Sequence, residues 1–195
     1  MSKVIAITGG IGAGKTYVSS IFNKHSGIPC FNSDLEAKKI MNNSSSIKKK
    51  IISIIGPDSY IDNKLNTEFL RYQIFSSKKK LKKINELIHN EVNVSFKNWL
   101  INQTSRYVLM ETAILFEHKL QNKVDLSILV TAPMKLRLER IYKRDNISKK
   151  IIDKIIENQW NDKKKLGLCD YFIENIDKKR TISEIKKLIK VFAII

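Results

Sequence analysis

Residues 3–16 of this 195-residue chain read KVIAITGGIGAGKT, and this stretch decides the fold. Residues 3–8 are mostly apolar and partly β-branched, which is typical of a short buried strand that stops at glycine. Residues 9–16 match the pattern G-x-x-x-x-G-K-[ST] at every specified position. Residues 15–24 then carry apolar side chains on one face of a predicted helix. Strand, glycine-rich loop and helix in this order predict a phosphate-binding loop, or P-loop.

Each residue type in the P-loop pattern has a physical task. Glycines let the backbone turn so that successive N–H groups point inwards at phosphate oxygens, and the N-terminus of the following helix faces the same anion. Lys15 is expected to reach the β- and γ-phosphates of a nucleotide, and Thr16 to offer its hydroxyl to Mg²⁺ alongside water. The residues predicted to bind the nucleotide here are Gly10, Ile11, Gly12, Ala13, Gly14, Lys15, Thr16 and Tyr17.

Strands and helices alternate along the rest of the chain. Further strands are predicted at residues 28–31, 106–112, 126–131 and 171–174, and helices at 34–41, 47–55, 67–103 (with a break near Ser76), 133–143, 149–163 and 183–192. Residues Asn146 to Ser148 are expected to cap the helix of 149–163. This alternation predicts an α/β fold with a five-stranded parallel sheet and helices on both faces. We expect one domain over residues 1–195.

The charge is the unusual feature of the composition, because 36 basic and 19 acidic residues give 36 − 19 = +17. Such a charge raises nucleic acid as a partner, but only six of the basic residues are Arg, whereas nucleic-acid readers favour Arg. Lysine runs at 48–50, 78–80 and 163–165 favour a bias in amino-acid composition as the cause of the charge. We expect these runs to lie on loops and exposed helix faces. We therefore expect no specific nucleic-acid partner, and a nucleic-acid-binding NTPase stays open as an alternative.

The remaining composition is that of an ordinary globular protein. Apolar residues make up 43% and charged residues 28%, which excludes a disordered or fibrous chain. No stretch approaches the roughly 20 apolar residues of a membrane span, so we expect no membrane partner. Cys30 and Cys169 lie far apart and form no CxxC, which predicts reduced thiols and a cytoplasmic location.

Two further features of the sequence bear on which molecule would accept a phosphoryl group from the bound nucleotide. Small P-loop kinases bind their acceptor between the second and third strands, which here spans a helical insertion at about 35–103. A basic segment at 137–144 overlaps the start of a predicted lid at about 140–165, and its three arginines share roughly one helix face. These features indicate a small-molecule kinase, and a kinase of nucleosides or shikimate-like metabolites stays open.

A series of segments resembles the dephospho-coenzyme A kinase family. The series consists of residues 5–16, Asn32-Ser33-Asp34, Leu70-Arg71 with Ile74-Phe75, Leu87-Ile88-His89, residues 108–117, residues 124–130, Arg140 and Arg144-Asp145, Gln159, and residues 170–175. The order and spacing match over nearly the whole chain. Asn32, Thr67, Asn90 and Ala113 depart from the family's usual Asp, Arg, Pro and Pro, and Thr67 puts one acceptor-phosphate contact in doubt.

The resemblance implies transfer of the γ-phosphoryl of ATP to the ribose 3′-hydroxyl of dephospho-coenzyme A. We expect a monomer or weak homo-oligomer. Asp34 follows the second strand, where ligands bind in such sheets, and is predicted to accept the hydroxyl proton. The alternative role for Asp34 is that of a helix N-cap. Lys15, Arg140 and Arg144 are predicted to be catalytic through charge. Substrate binding is predicted for Asp34, Arg71 and His89, with a purely structural histidine as the alternative for His89. Nucleotide binding is also predicted for Asn175. Glu111 and Glu117 are expected either to help hold Mg²⁺ through water or to be structural.

Overall fold

A computed structural model describes residues 2–145 and 147–194 of the chain, and its centre is a parallel sheet. The five strands lie in the order β2-β5-β1-β6-β7, and every pairing is parallel. The strands are β1 Lys3–Thr8, β2 Cys30–Asn32, β5 Tyr107–Glu111, β6 Leu126–Thr131 and β7 Tyr171–Glu174, with β3 Tyr60–Ile61 and β4 Lys64–Leu65 forming a separate hairpin. All carboxyl ends therefore meet at one edge, where the P-loop follows β1.

The helices confirm the predicted α/β class. They are α1 Lys15–Ser26, α2 Ser33–Asn43, α3 Ser45–Ile55, α4 Thr67–Ser76, α5 Lys78–Ile101, α6 Met134–Arg144, α7 Lys149–Glu157, α8 Asp162–Leu166 and α9 Lys178–Ile194. Short 3₁₀ turns occur at Pro57–Ser59 and Leu120–Lys123. Among the described residues, no helix is both long enough and apolar enough to cross a membrane.

The chain divides into two compact units. The first unit takes the residues up to Asn32 and those from Gln103 onward, and the second takes Ser33–Asn102. The predicted insertion at about 35–103 overlaps the second unit closely, and the assignment of residues 1–195 to one domain stays a prediction.

The core of the first unit lies between the sheet and the helices around it. Strand β5 is buried along its whole length, which is why its sequence is nearly all apolar. Helix α1 packs against α9, and the rings of Phe22 and Phe192 stack at 6.2 Å between centroids. Burial of these rings removes large apolar surfaces from water and fixes α1, whose N-terminus carries the P-loop.

The second unit has a core of its own. It consists of Ile47, Ile51, Ile55, Leu70, Ile84 and Ile88 from α3, α4 and α5. The predicted break near Ser76 is confirmed, because Ser77 ends α4 and caps α5 by accepting a hydrogen bond from the N–H of Lys80. The β3–β4 hairpin was not predicted, although Asp62 and Asn63 adopt the positive φ angles that such turns favour.

The predicted helix at 149–163 is wrong, since the structure has two helices there. Helix α7 ends at Glu157, and α8 begins after Asn161, whose side-chain oxygen accepts from the N–H of Lys164. Asparagine is a strong N-cap, so Asn161 begins a new helix, whereas α7 has already ended four residues earlier. Of the predicted cap at 146–148, Asn146 lies outside the described residues and Ser148 precedes α7. Helix α9 is also longer than predicted, beginning at Lys178.

Candidate active site at the P-loop

The P-loop of residues 9–16 joins β1 to α1 at the carboxyl edge of the sheet. Gly14 precedes α1 with φ of 96°, a left-handed conformation that costs glycine little and other residues more. A Cβ atom at this position would also overlap the side-chain nitrogen of Asn175. Glycine at position 14 is therefore required both by the backbone and by space.

Lys15 is buried against the loop that it follows. Its Nζ donates to the carbonyl oxygens of Gly9 at 3.1 Å and Gly10 at 3.5 Å. The ammonium group therefore lies beside the loop whose glycines were predicted to cradle phosphate. A positive charge here, next to the positive end of the α1 dipole, favours an anion.

Thr16, the residue after Lys15, is hydrogen-bonded to the carboxylate of Glu111. The hydroxyl of Thr16 donates to Oε1 of Glu111 at 2.6 Å, and the hydroxyl of Ser19 lies 3.4 Å from Oε2. Sheet register explains the meeting, since Glu111 ends β5 opposite Ile7 of β1. Because the Thr16 hydroxyl is the donor in its hydrogen bond with the carboxylate, the lone pairs of its oxygen stay available to a cation. A hydroxyl and a carboxylate are hard oxygen donors, so these residues fit Mg²⁺.

Asn175 and Arg140 hold the back of the P-loop. The Asn175 side chain donates to the carbonyl oxygen of Ala13 at 2.8 Å and accepts from the hydroxyl of Thr181 at 3.3 Å. Arg140 donates to the carbonyl oxygens of Ala13 at 3.3 Å and Asn175 at 2.8 Å. Burial lowers the pKa of Arg140. Two residues predicted for the site from distant parts of the sequence thus meet the same loop carbonyl.

Comparison with known proteins identifies the family of the chain. The sequence model of the family described as dephospho-CoA kinase matches residues 3–180. A dephospho-CoA kinase of Bacteroides fragilis is 34% identical over 190 residues, which cover 97% of this chain and 92% of that protein. The chain belongs to the dephospho-CoA kinase family.

Solved structures agree on the fold. A protein of Thermus thermophilus superposes with a TM-score of 0.85 at 23% identity, over 97% of each chain. A dephospho-CoA kinase from Campylobacter jejuni superposes with a TM-score of 0.67 at 20% identity, over 97% of this chain and 96% of the other. At these identities the likeness establishes the fold alone.

The three arginines of α6 in this dephospho-CoA kinase family member differ sharply in environment. Arg137 is buried, and its pKa is lowered, because the effect of burial outweighs the opposing effect of the neighbouring Asp162. Arg140 is half-buried at the P-loop. Arg144 is exposed, and it binds both carboxylate oxygens of Asp145, with distances of 2.6 and 3.0 Å. The shared face predicted from sequence therefore spans the whole range from buried to solvent.

The residues predicted to act on the acceptor lie in the second unit. Asp34 is exposed in the first turn of α2, two residues beyond the last residue of β2. Arg71 on α4 and His89 on α5 are both half-buried. Their roles, and that of Asp34, stay predictions.

Glu117 and Lys165 form a buried ion pair that the sequence did not reveal. The Lys165 Nζ lies 2.7 Å from Oε1 of Glu117 and donates to the carbonyl oxygen of Ala113 at 3.2 Å. The same Glu117 oxygen accepts from the N–H of Trp160 at 2.9 Å. These contacts favour the structural role for Glu117, whereas Glu111 contacts Thr16. The expectation that the lysine runs are exposed is wrong at Lys165, which is fully buried.

Proposed function

We propose that this chain transfers the γ-phosphoryl group of ATP to the ribose 3′-hydroxyl of dephospho-CoA, giving CoA and ADP. The observation that carries the proposal is the P-loop, where Lys15 lies beside the hydrogen-bonded pair of Thr16 and Glu111. Membership of the dephospho-CoA kinase family, with a match over residues 3–180, supports the choice of acceptor.

The P-loop would bind the triphosphate of ATP. Backbone N–H groups of the P-loop, apart from that of Ile11, which already donates to Gln159, would surround the β-phosphate. Lys15 would turn from its own loop carbonyls to the β- and γ-phosphates. Thr16 and Glu111 would hold Mg²⁺, Thr16 directly and Glu111 through water. Bound Mg²⁺ neutralises charge on the β- and γ-oxygens. Asn175 would complete the nucleotide site through its contact with Ala13.

Asp34 would orient the acceptor hydroxyl and take its proton. The 3′-oxygen forms a bond to the γ-phosphorus as the bond from that phosphorus to the ADP oxygen breaks, and the hydroxyl proton passes to the carboxylate. Because an exposed carboxylate is a weak base, proton transfer would come late. Arg140 and Arg144 would offset the charge on the transferring group, Arg144 after exchanging Asp145 for phosphate.

Arg71 and His89 would bind the acceptor. The guanidinium of Arg71 suits a phosphate of dephospho-CoA, since its planar fork pairs with two oxygens. The imidazole of His89 would contact the same substrate.

We infer a cytoplasmic setting and a monomer or weak homo-oligomer. Cys30 and Cys169 are both free thiols, which suits a reducing compartment. The +17 charge would steer two anionic substrates toward the site without a specific nucleic-acid partner.

The proposal is tested by measuring ADP release with dephospho-CoA, adenosine, shikimate, RNA or water alone as the second component. We expect turnover with dephospho-CoA to exceed that with water by several orders of magnitude. The variant Asp34→Asn should lower kcat by about 10²-fold or more, while the exposed control Asp58→Asn should behave as wild type. Equal turnover with dephospho-CoA and water would refute the proposal, and stimulation by RNA alone would favour the NTPase alternative.

A further inference from the structure

Both backbone polar groups of Ile11, inside the P-loop, are bound by side chains from distant parts of the chain. The N–H of Ile11 donates to Oε1 of Gln159 at 3.0 Å. The carbonyl oxygen of Ile11 accepts from Nε of Arg137 at 2.7 Å. One residue of a loop that must hold its shape around phosphate is thus fixed on both sides by groups outside the loop.

Arg137 is itself fixed on its other side. Its Nη1 lies 3.3 Å from Oδ2 of Asp162 at the start of α8, and its side chain is only 7% exposed. A planar guanidinium that bonds in two directions has little freedom to rotate. The geometry of Ile11 is therefore tied through Arg137 to Asp162, and through Gln159 to the segment that precedes α8.

The glycine at position 10 also supports a fixed position for the Arg137 side chain. Gly10 is not among the glycines with positive φ, so its backbone conformation does not require glycine. A Cβ atom there would overlap Nη2 of Arg137 and lie 2.7 Å from its Cζ, so a larger residue would fit only if the guanidinium left its contacts with Ile11 and Asp162. The P-loop is shaped around the Arg137 guanidinium, and the two side-chain positions are matched to one another.

The same segment is anchored to the first unit by further polar contacts. Trp160 donates its N–H to Glu117, and Lys165 pairs with the same carboxylate. Residues 159–165, which fall within the predicted lid, are therefore held on the core by several contacts. This anchorage makes them a firm support for the loop rather than a part that must swing away.

We propose that Arg137 is a positioning residue for ATP, which with Gln159 and Asp162 holds Ile11 so that the following P-loop amides converge on the triphosphate. We call these three side chains the Ile11 clamp. The clamp acts through the loop backbone and has no direct part in the transfer step. The inference rests on the proposed function only in naming ATP as the ligand of the P-loop.

The test measures ATP affinity and kinetics in clamp variants of the full chain. We expect Arg137→Gln, which loses the charge and the fork, to raise the Kd for ATP about tenfold. Asp162→Asn, which leaves Arg137 in place with a neutral partner, should raise it about threefold. Lys135→Gln, an exposed charge loss on the same helix α6, should leave the Kd within about twofold, since screening weakens exposed charges.

Separate readouts distinguish positioning from a general loss of structure. Both clamp variants should raise the KM for ATP and leave the KM for dephospho-CoA unchanged. An ATP Kd within about twofold of wild type in folded Arg137→Gln overturns the proposal, and so does an equal rise in both KM values. If Arg137→Gln does not fold, Asp162→Asn decides by the same criteria. Titration of ATP needs no acceptor, so failure of the clamp is distinguishable from failure of the kinase assignment.

Discussion

The substitution Lys165→Met tests the buried ion pair that joins α8 to the segment after β5. The two side chains are 0% and 8% exposed, and Nζ lies 2.7 Å from the Glu117 carboxylate. Methionine has a similar length and packs in apolar surroundings, so it removes the charge with little change in volume. What remains is a carboxylate out of reach of bulk water and without its cation.

The expected cost follows from that burial. Removing one partner of a buried pair costs about 3–5 kcal/mol, because the remaining charge keeps its desolvation penalty. Glu117 retains the N–H of Trp160 as a donor, which places the cost near the lower end, about 3 kcal/mol. For a chain of this size each kcal/mol shifts Tm by about 2–4 °C, so Tm should fall by roughly 6–12 °C.

Urea unfolding followed by circular dichroism measures this loss. Lys163→Met changes an exposed lysine in the same run and should stay within about 0.5 kcal/mol of wild type. The double variant Lys165→Met with Glu117→Gln removes both charges and keeps an oxygen for Trp160, so it should recover much of the loss. A Lys165→Met protein within about 1 kcal/mol of wild type would refute the reasoning, as would a double variant less stable than the single one.

Three further predictions concern the site and the thiol beside it. Lys15→Ala should lower kcat by about 10²–10³-fold, with Lys24→Ala on the exposed end of α1 as the unaffected control; a smaller loss in steady-state assays would contradict the role of Lys15. Glu111→Gln should raise the Mg²⁺ concentration for half-maximal rate about tenfold by weakening the partner of Thr16, and an unchanged Mg²⁺ titration would exclude that role. Burial raises the pKa of Cys30 to about 11. The folded thiol therefore stays protonated at pH 8. Its alkylation, followed by mass spectrometry, should be about 10²-fold slower than in urea and should accelerate as pH rises toward 11. Equal rates in the folded protein and in urea would show an accessible thiolate and contradict this prediction.

Local patterns in the sequence predict the centre of the fold well. Strand β1 and the start of α1 are found where the motif indicates, because apolar alternation, glycines and helix periodicity act over a few residues. Strands β6 and β7 have their predicted bounds for the same reason. The helix predicted at 149–163 was too long because the cap at Asn161 was missed, and the lysines at 163–165 belong to a second helix that begins after it.

The supports of the site depend on contacts that no local pattern reports. Lys165 looks like any other lysine in its run, and its burial follows from Glu117, which lies 48 positions earlier in the chain. Arg137 was seen as one of three lid arginines, yet its partners Ile11 and Asp162 are fixed only by the fold. Gly10 was one signal in the sequence, because the P-loop pattern accepts any residue at position 10 and this chain has glycine there.

The position of the new phosphate on the product tests the central claim most directly. The protein is incubated with ATP, Mg²⁺ and dephospho-CoA, and the purified product is examined by ³¹P NMR with coupling to the ribose protons. We expect one added phosphate on the 3′-oxygen, formed with an equal amount of ADP and formed about 10²–10³-fold more slowly with Lys15→Ala. Phosphate on another atom, or ADP formed without any phosphorylated dephospho-CoA, would contradict it.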